Sequence, residues 1–236
     1  VQRVETSSSF KDEKVIKLDY GPEYQYRYPT LTVDEMGRNL QSCYDKNYGM
    51  LTAVTDYNDF TTNRLEDPFG VRQDVIMADG IRNVKVKLWS EGNEYAPEGA
   101  SYYIWDKTTG KAETMTFYHK TGKELRNVSF NLNGDAVFVD MKYDDNGNLV
   151  KKSLPYYRGD NVDYVSFTYD IFGRLTEESR PDGTRAVYQY DGYNVVLTTY
   201  LNDGTVRKKI KKTNPMGWLI ETEDNGGASV VYDYYS

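Results

Sequence analysis

Glycine recurs along this chain at a nearly fixed interval, at positions 37, 49, 70, 80, 92, 110, 122, 134, 147, 159, 173, 183, 192, 204, 217 and 226. Most neighbouring intervals run from 9 to 14 residues, and the longest gap, 49 to 70, is divided by Asp56-Tyr57-Asn58-Asp59. A short strand plus a reversal fills such an interval, whereas a helix would need unbroken 3.6-residue periodicity across the glycines. None is present. Two turn patterns accompany the glycines. One is Asp/Asn-x-x-Gly, at Asp34–Gly37, Asp67–Gly70, Asp144–Gly147, Asp170–Gly173 and Asn214–Gly217; type I turns favour Asp or Asn first and Gly fourth. The other is a bare Asp-Gly or Asn-Gly, at Asp79-Gly80, Asn133-Gly134, Asp182-Gly183, Asp191-Gly192, Asp203-Gly204 and Asn225-Gly226. Two-residue hairpins use such pairs because both residues accept positive φ.

Between turns the residues alternate with period two. Val84, Val86 and Leu88 alternate with Lys85 and Lys87, and Val165, Phe167 and Tyr169 with Ser166 and Thr168. The expected fold is all-β: successive antiparallel hairpins of about twenty strands, forming a curved, open β-strip. Residues 1–30 are less regular, with Ser7-Ser8-Ser9 followed by Tyr24, Tyr26 and Tyr28, whose spacing reads as one strand face. The regular segment is 31–236, and Ser90 to Ala100 reads as a longer loop.

The apolar share is 39%, but that figure counts 23 tyrosines. Aromatic rings must supply much of the buried area, with their hydroxyls left to find partners. A net charge of −7 argues against a nucleic-acid binder. The single cysteine, Cys43, forms no internal disulfide and is expected to be a partly buried thiol. No stretch reaches the roughly 18 apolar residues of a membrane-spanning helix. The chain opens on Val1 and reads as an internal segment, and Tyr232-Asp233-Tyr234-Tyr235 starts a further unit whose edge is expected to be open.

Tyr169-Asp170-Ile171-Phe172-Gly173-Arg174-Leu175-Thr176, then Arg180-Pro181-Asp182-Gly183-Thr184, then Tyr188-Gln189-Tyr190-Asp191-Gly192 resembles the tyrosine-aspartate (YD) repeat of Rhs proteins. Tyr143-Asp144-Asp145-Asn146-Gly147-Asn148-Leu149 is a second copy with Asn for Arg; Tyr44-Asp45 and Tyr232-Asp233 begin weaker ones. Ser101 to Arg180 is similar, more specifically, to the Rhs-like core of toxin-complex B components and related secreted virulence proteins. Glu66 in place of Tyr before Asp67, Val71 in place of Arg after Gly70, and Tyr118-His119 in place of Tyr-Asp depart from the pattern. They predict turns kept with less tyrosine stacking.

The resemblance implies a β-strip wound into a hollow shell around another polypeptide, often a toxin, in a secreted or surface-associated protein. The partners it implies are flanking regions of the same polypeptide and an encapsulated toxin domain. The alternative is a carbohydrate- or surface-binding module using exposed Tyr and Trp faces, with Trp89, Trp105 and Trp218 as platforms.

No residue set points to catalysis, a metal or a cofactor, and the chain is expected not to be an enzyme. His119 is the only histidine and occupies the Asp slot of a turn. Asp144-Asp145-Asn146-Gly147-Asn148 lacks the spacing and closing Glu of a calcium loop. Glu177 and Glu178 are adjacent on a strand and point to opposite faces. Asp67-Pro68-Phe69-Gly70 resembles an element near the Rhs self-cleavage site but sits in register as an ordinary turn. Arg158-Gly159-Asp160 matches an adhesion tripeptide, yet Gly159 is in phase with the array. Asn127-Val128-Ser129 is a glycosylation sequon, and Arg207-Lys208-Lys209-Ile210-Lys211-Lys212 is a basic run that reads as a solvent-facing strand or a contact for a polyanion.

Overall fold

The phased glycines mark chain reversals. The computed structural model describes residues 2–6 and 14–234, which form twenty-one strands and one three-residue 3-10 helix at Pro22–Tyr24. The expectation of an all-β chain of successive antiparallel hairpins is borne out. Ser7–Ser9 and Tyr235 lie outside the described residues.

The chain divides into two compact units, residues 1–123 with 129–134, and residues 124–128 with 135–236. The first holds β1 (Gln2–Thr6), β2 (Lys14–Tyr20), β3 (Pro29–Val33), β4 (Asn39–Tyr44), β5 (Leu51–Thr55), β6 (Thr61–Glu66), β7 (Arg72–Ile76), β8 (Arg82–Trp89), β9 (Ala100–Thr108) and β10 (Thr114–His119). Each pairs antiparallel with the strand before it. The strand β11 (Glu124–Phe130) contributes residues to both units. The second unit holds β12 (Ala136–Tyr143), β13 (Leu149–Ser153), β14 (Tyr156–Tyr157), β15 (Tyr164–Tyr169), β16 (Leu175–Ser179), β17 (Arg185–Asp191), β18 (Asn194–Tyr200), β19 (Val206–Thr213), β20 (Leu219–Asp224) and β21 (Ser229–Val231). Here β12 spends Met141–Tyr143 on β13 and Val137–Phe138 on β14, β15 pairs with β13, and from β16 to β21 every strand again pairs with its predecessor.

Neither unit has a dense aliphatic centre. Among the described residues the buried hydrophobics are Phe117 in the first unit, and Val128 and Phe138 in the second. Ring-on-ring pairs take over. Tyr102 stacks on Tyr118 at 5.1 Å and Tyr103 on Phe117 at 5.0 Å, each pair directly opposed across β9 and β10. Such cross-strand aromatic pairs contribute about 0.2–1 kcal/mol each.

Three sequence expectations are corrected. Tyr24, Tyr26 and Tyr28 do not share a strand face: Pro22 starts a 3-10 turn, and Gln25 and Tyr26 take the left-handed region at φ 54° and 58°. The bend nonetheless brings Tyr24 and Tyr28 onto one ring, Tyr44, at 5.6 and 4.9 Å. Cys43 is exposed rather than partly buried, because its position on β4 faces the open side of a single sheet. Near the end of the chain the left-handed residue is Gly227 (φ 74°), not Gly226, so the turn there is Asp224–Gly227 and belongs to the first pattern.

Two glycines separate conformational from steric cost. Gly217 (φ 82°) has open space where a Cβ would lie, whereas at Gly49 (φ 71°) a Cβ would collide with the Tyr28 hydroxyl. In urea unfolding, Gly217→Ala should cost about 1 kcal/mol for the backbone alone. Gly49→Ala should cost about 2 kcal/mol or more, since it also pushes Tyr28 off Tyr44. Equal midpoints would contradict this reading.

Candidate functional site

The repeated feature is the turn itself. In the Asp34, Asp144, Asp170, Asn214 and Asp224 turns, the N–H of residue 1 donates to the C=O of residue 5, and the Gly N–H of residue 4 to the C=O of residue 1. This is a three-residue loop closed by a left-handed glycine bulge. The bare Asp-Gly sites at Gly80, Gly183 and Gly204 have the same two bonds, from Met77, Arg180 and Leu201. They are not two-residue hairpins as the sequence suggested; Asp79, Asp182 and Asp203 sit at residue 3, outside the left-handed region. The same holds for Asn133-Gly134, closed from Asn131. Only Gly192-Tyr193 forms a two-residue reversal, with Asp191 paired to Asn194 at the strand ends rather than within the turn.

The two sequence patterns are two solutions to one problem. In this loop the N–H of residue 5 has no backbone acceptor, and a side-chain oxygen takes it. From residue 1, Asp170 Oδ1 accepts the N–H groups of Phe172 and Arg174, both at 2.9 Å, and Asn214 Oδ1 those of Met216 and Trp218 at 3.0 and 2.9 Å. Asp34 holds Met36 and Arg38, both at 2.9 Å, and Asp144 holds Asn148 at 2.8 Å. From residue 3, Asp79, Asp182 and Asp203 accept Ile81, Thr184 and Thr205 at 3.0, 2.9 and 2.8 Å. At 56–60 the glycine is replaced by Asp59, itself left-handed at φ 64°, while Asp56 still accepts Asn58 and Phe60. Asp45 and Asp67 open loops one residue longer, Gly70 standing at φ 69° in the second; they accept Asn47 and Tyr48, and Phe69.

The second carboxylate oxygen reaches sideways. Asp170 Oδ2 binds Arg174 Nε at 2.7 Å, and that guanidinium lies over the Tyr190 ring at 4.3 Å. Asp34 and Arg38 repeat the pair at 2.6 Å, with Arg38 5.2 Å from the Tyr57 ring. In the Asn148 copy, its amide donates to Asp144 Oδ2 at 3.0 Å in the arginine's place. The tyrosine hydroxyls then tie each repeat to the one before. Tyr169 donates to the Leu149 carbonyl at 2.9 Å, Tyr190 to that of Leu175 at 2.8 Å, Tyr234 to that of Leu219 at 2.8 Å and Tyr44 to that of Pro29 at 3.0 Å. Each acceptor sits opposite a ladder irregularity. The sequence pattern named the tyrosines but not these acceptors; for three of the four the signal is a Leu two residues after a turn glycine, at Leu149, Leu175 and Leu219.

These bonds set the charge states. The Arg38 N–H chiefly lowers the Asp34 carboxyl, the Asn148 amide that of Asp144, and the Thr205 N–H that of Asp203. At Asp170, burial pushes upward and the Arg174 and Phe172 bonds pull the net value below the ordinary one. Two partly or fully buried carboxylates are held harder. Asp74, 4% exposed, is gripped by Arg82, with Nε at 2.8 Å, and by Arg72 at 3.2 Å. Asp140 meets Arg126 at 2.6 and 2.8 Å and the Tyr156 hydroxyl at 2.7 Å. Desolvation and that carboxylate push Tyr156 up to about 12.

The residues weighed for chemistry have structural occupations. His119 Nδ1 takes the Thr121 N–H at 3.3 Å, as Asp does elsewhere. Glu177 accepts from Ser179 and Glu178 from Arg180, on opposite faces of β16. Asp160 caps the Tyr157 N–H at 3.1 Å, and Asn127 donates to Glu124. Among the described residues no cluster of His, Cys, Asp and Glu fits a metal ion. A recess of ≈ 890 Å³ in the second unit is lined by Leu154, Pro155, Val165, Arg180, Pro181 and Asp182 among others, none of them aromatic. Trp89 is 79% exposed and Trp218 50%, while Trp105 donates to Glu113 at 3.1 Å.

Self-capped hairpins tied by tyrosine hydroxyls define a tyrosine–aspartate repeat sheet. Residues 143–185 match the RHS Repeat family, so that stretch carries the repeat its sequence pattern suggested. No curated protein matches the chain. Among solved structures it is similar to TcdB2-TccC3 without its hypervariable C-terminal region, at 14% identity and a TM-score of 0.59 over 89% of this chain and 11% of that one. It is also similar to TcdB2-TccC3 (11% identity, TM-score 0.51, 94% of this chain and 15% of that one) and to TcdB2-TccC3-Cdc42 (12%, 0.50, 94% and 14%). At these identities the likeness is one of fold. The chain spans between a tenth and a sixth of the length of those structures.

Two predictions test the capping scheme. Because the folded carboxyls titrate below their unfolded values, they stabilise the fold above the unfolded pKa near 4, and that contribution is lost as pH falls through the folded values. Stability should therefore drop in acid. Asp170→Ala should lower the urea midpoint more than Asp170→Asn, since Asn214 shows that an amide oxygen makes the same two turn bonds. In the alkaline direction Tyr156, raised in the fold, loses its contribution as pH climbs from about 10 toward 12. Tyr156→Phe should flatten that limb of a pH–stability curve.

Proposed function

We propose that this chain is a structural segment of a hollow β-shell that encloses or presents another polypeptide, and that it performs no catalysis itself. The observation that carries the proposal is the inter-repeat bond from a tyrosine hydroxyl to the preceding repeat's carbonyl, made at Tyr44, Tyr169, Tyr190 and Tyr234. It extends a sheet indefinitely without needing a second layer to pack on, which is what a thin wall requires. The fold likeness to TcdB2-TccC3, a far longer protein, supports the same reading. The carboxylates and the one histidine that could serve chemistry are committed to turns and ion pairs, which supports a wall rather than an active site. The partners are then flanking parts of the same polypeptide and an enclosed toxin domain, and the protein works outside the cell or at its surface.

The test uses the full polypeptide that contains this chain. Limited proteolysis should leave a segment outside the repeats intact while the repeats are folded. The double substitution Gly173→Ala with Gly217→Ala should expose that segment to cleavage. Equal cleavage of that segment in the wild type and in the variant would count against enclosure.

A further inference from the structure

The basic strand β19 sorts its charges by face. Its register with β18 and β20 places Arg207, Lys209 and Lys211 on one side, and Lys208, Ile210 and Lys212 on the other. The second face is neutralised: Lys212 pairs with Glu221 at 3.0 Å, and Glu223 stands opposite Ile210. The first face is not. Its cross-strand neighbours on β18 are Val195, Leu197 and Thr199, and on β20 Thr222 and Asp224. Asp224 is the one carboxylate among them, and its Oδ1 is occupied by the Gly226 and Ala228 N–H groups of its own turn. Arg207 acts on Asp203 through space, but no ion pair among the described residues holds Arg207, Lys209 or Lys211. All three are exposed. A groove of ≈ 400 Å³ runs along this part of the strand, lined by Leu197 and Thr199, by Arg207, Lys208 and Lys209, and by the Asp224–Gly226 turn.

We infer that this face of β19 binds an extended acidic peptide segment laid along the strand. Alternate residues of a strand are about 6.7 Å apart, so the three cations form a row with that period. An extended peptide repeats its own side chains at the same interval, so acidic residues at every second position meet all three cations at once. Its intervening side chains point away from the sheet and are free to be small. The inference goes beyond the shell reading and stands or falls separately from it, since it concerns a sequence pattern in the bound segment rather than enclosure.

The experiment is fluorescence anisotropy on the full chain with a labelled peptide of alternating Glu and Thr. Comparison ligands are a block peptide of the same composition and a sulfated oligosaccharide. The alternating peptide should bind best and weaken steeply as ionic strength rises. The triple variant Arg207→Ser, Lys209→Ser, Lys211→Ser should bind it roughly tenfold less tightly or worse. Lys212→Ser, on the opposite face and outside the groove, should leave binding unchanged. Where the triple variant does not melt like the wild type, Lys209→Glu alone provides the same comparison. Equal binding of the block peptide, equal loss in Lys212→Ser, or preference for the oligosaccharide would overturn the inference.

Discussion

Every reversal in this fold that uses the five-residue loop faces the same deficit, an N–H at the fifth position with no backbone partner. An unpaired backbone donor is costly wherever water is displaced. At most of them aspartate or asparagine satisfies it from either of two positions, and the Asp170 and Asp182 turns show the two routes within one repeat. The rest of the structure depends on that choice. A capped loop fixes the bulge, the bulge fixes which residue faces which across the hairpin, and register decides where each tyrosine falls.

Once register is set, the aspartate's second oxygen becomes useful. It orients the arginine that follows the glycine, and the arginine covers the ring of the next repeat, as Arg174 does between Asp170 and Tyr190. The tyrosine is thereby held from above by a cation and from its hydroxyl by the carbonyl of Leu175. Little aliphatic burial is needed, which accounts for a fold whose described core contains Phe117, Val128 and Phe138 and little else that is fully buried.

The all-β character and nearly every reversal were legible in the sequence because glycine at positive φ leaves a mark that no tertiary context erases. The turn geometry was less legible. Asp182-Gly183 looks like a two-residue hairpin, and only the bond from Gly183 to the Arg180 carbonyl shows that the loop begins earlier. Tyr24, Tyr26 and Tyr28 misled for a different reason: period-two spacing describes a strand only if the backbone is extended, and Pro22 bends it first. The part-buried pairings of Asp74 with Arg82 and of Asp140 with Arg126 span 8 and 14 residues without any local motif to announce them. The unbalanced face of β19 was visible as a basic run, but its one-sidedness required the neighbours' register.

The tyrosine ties reach back only 15 or 20 residues. A chain built this way closes its contacts almost as fast as it lengthens, with no distant partner to wait for. Such a sheet can be assembled from one end, each new hairpin templated by the last. It suits a polypeptide that emerges from synthesis in one direction, since each added hairpin finds its tyrosine tie in the chain already present.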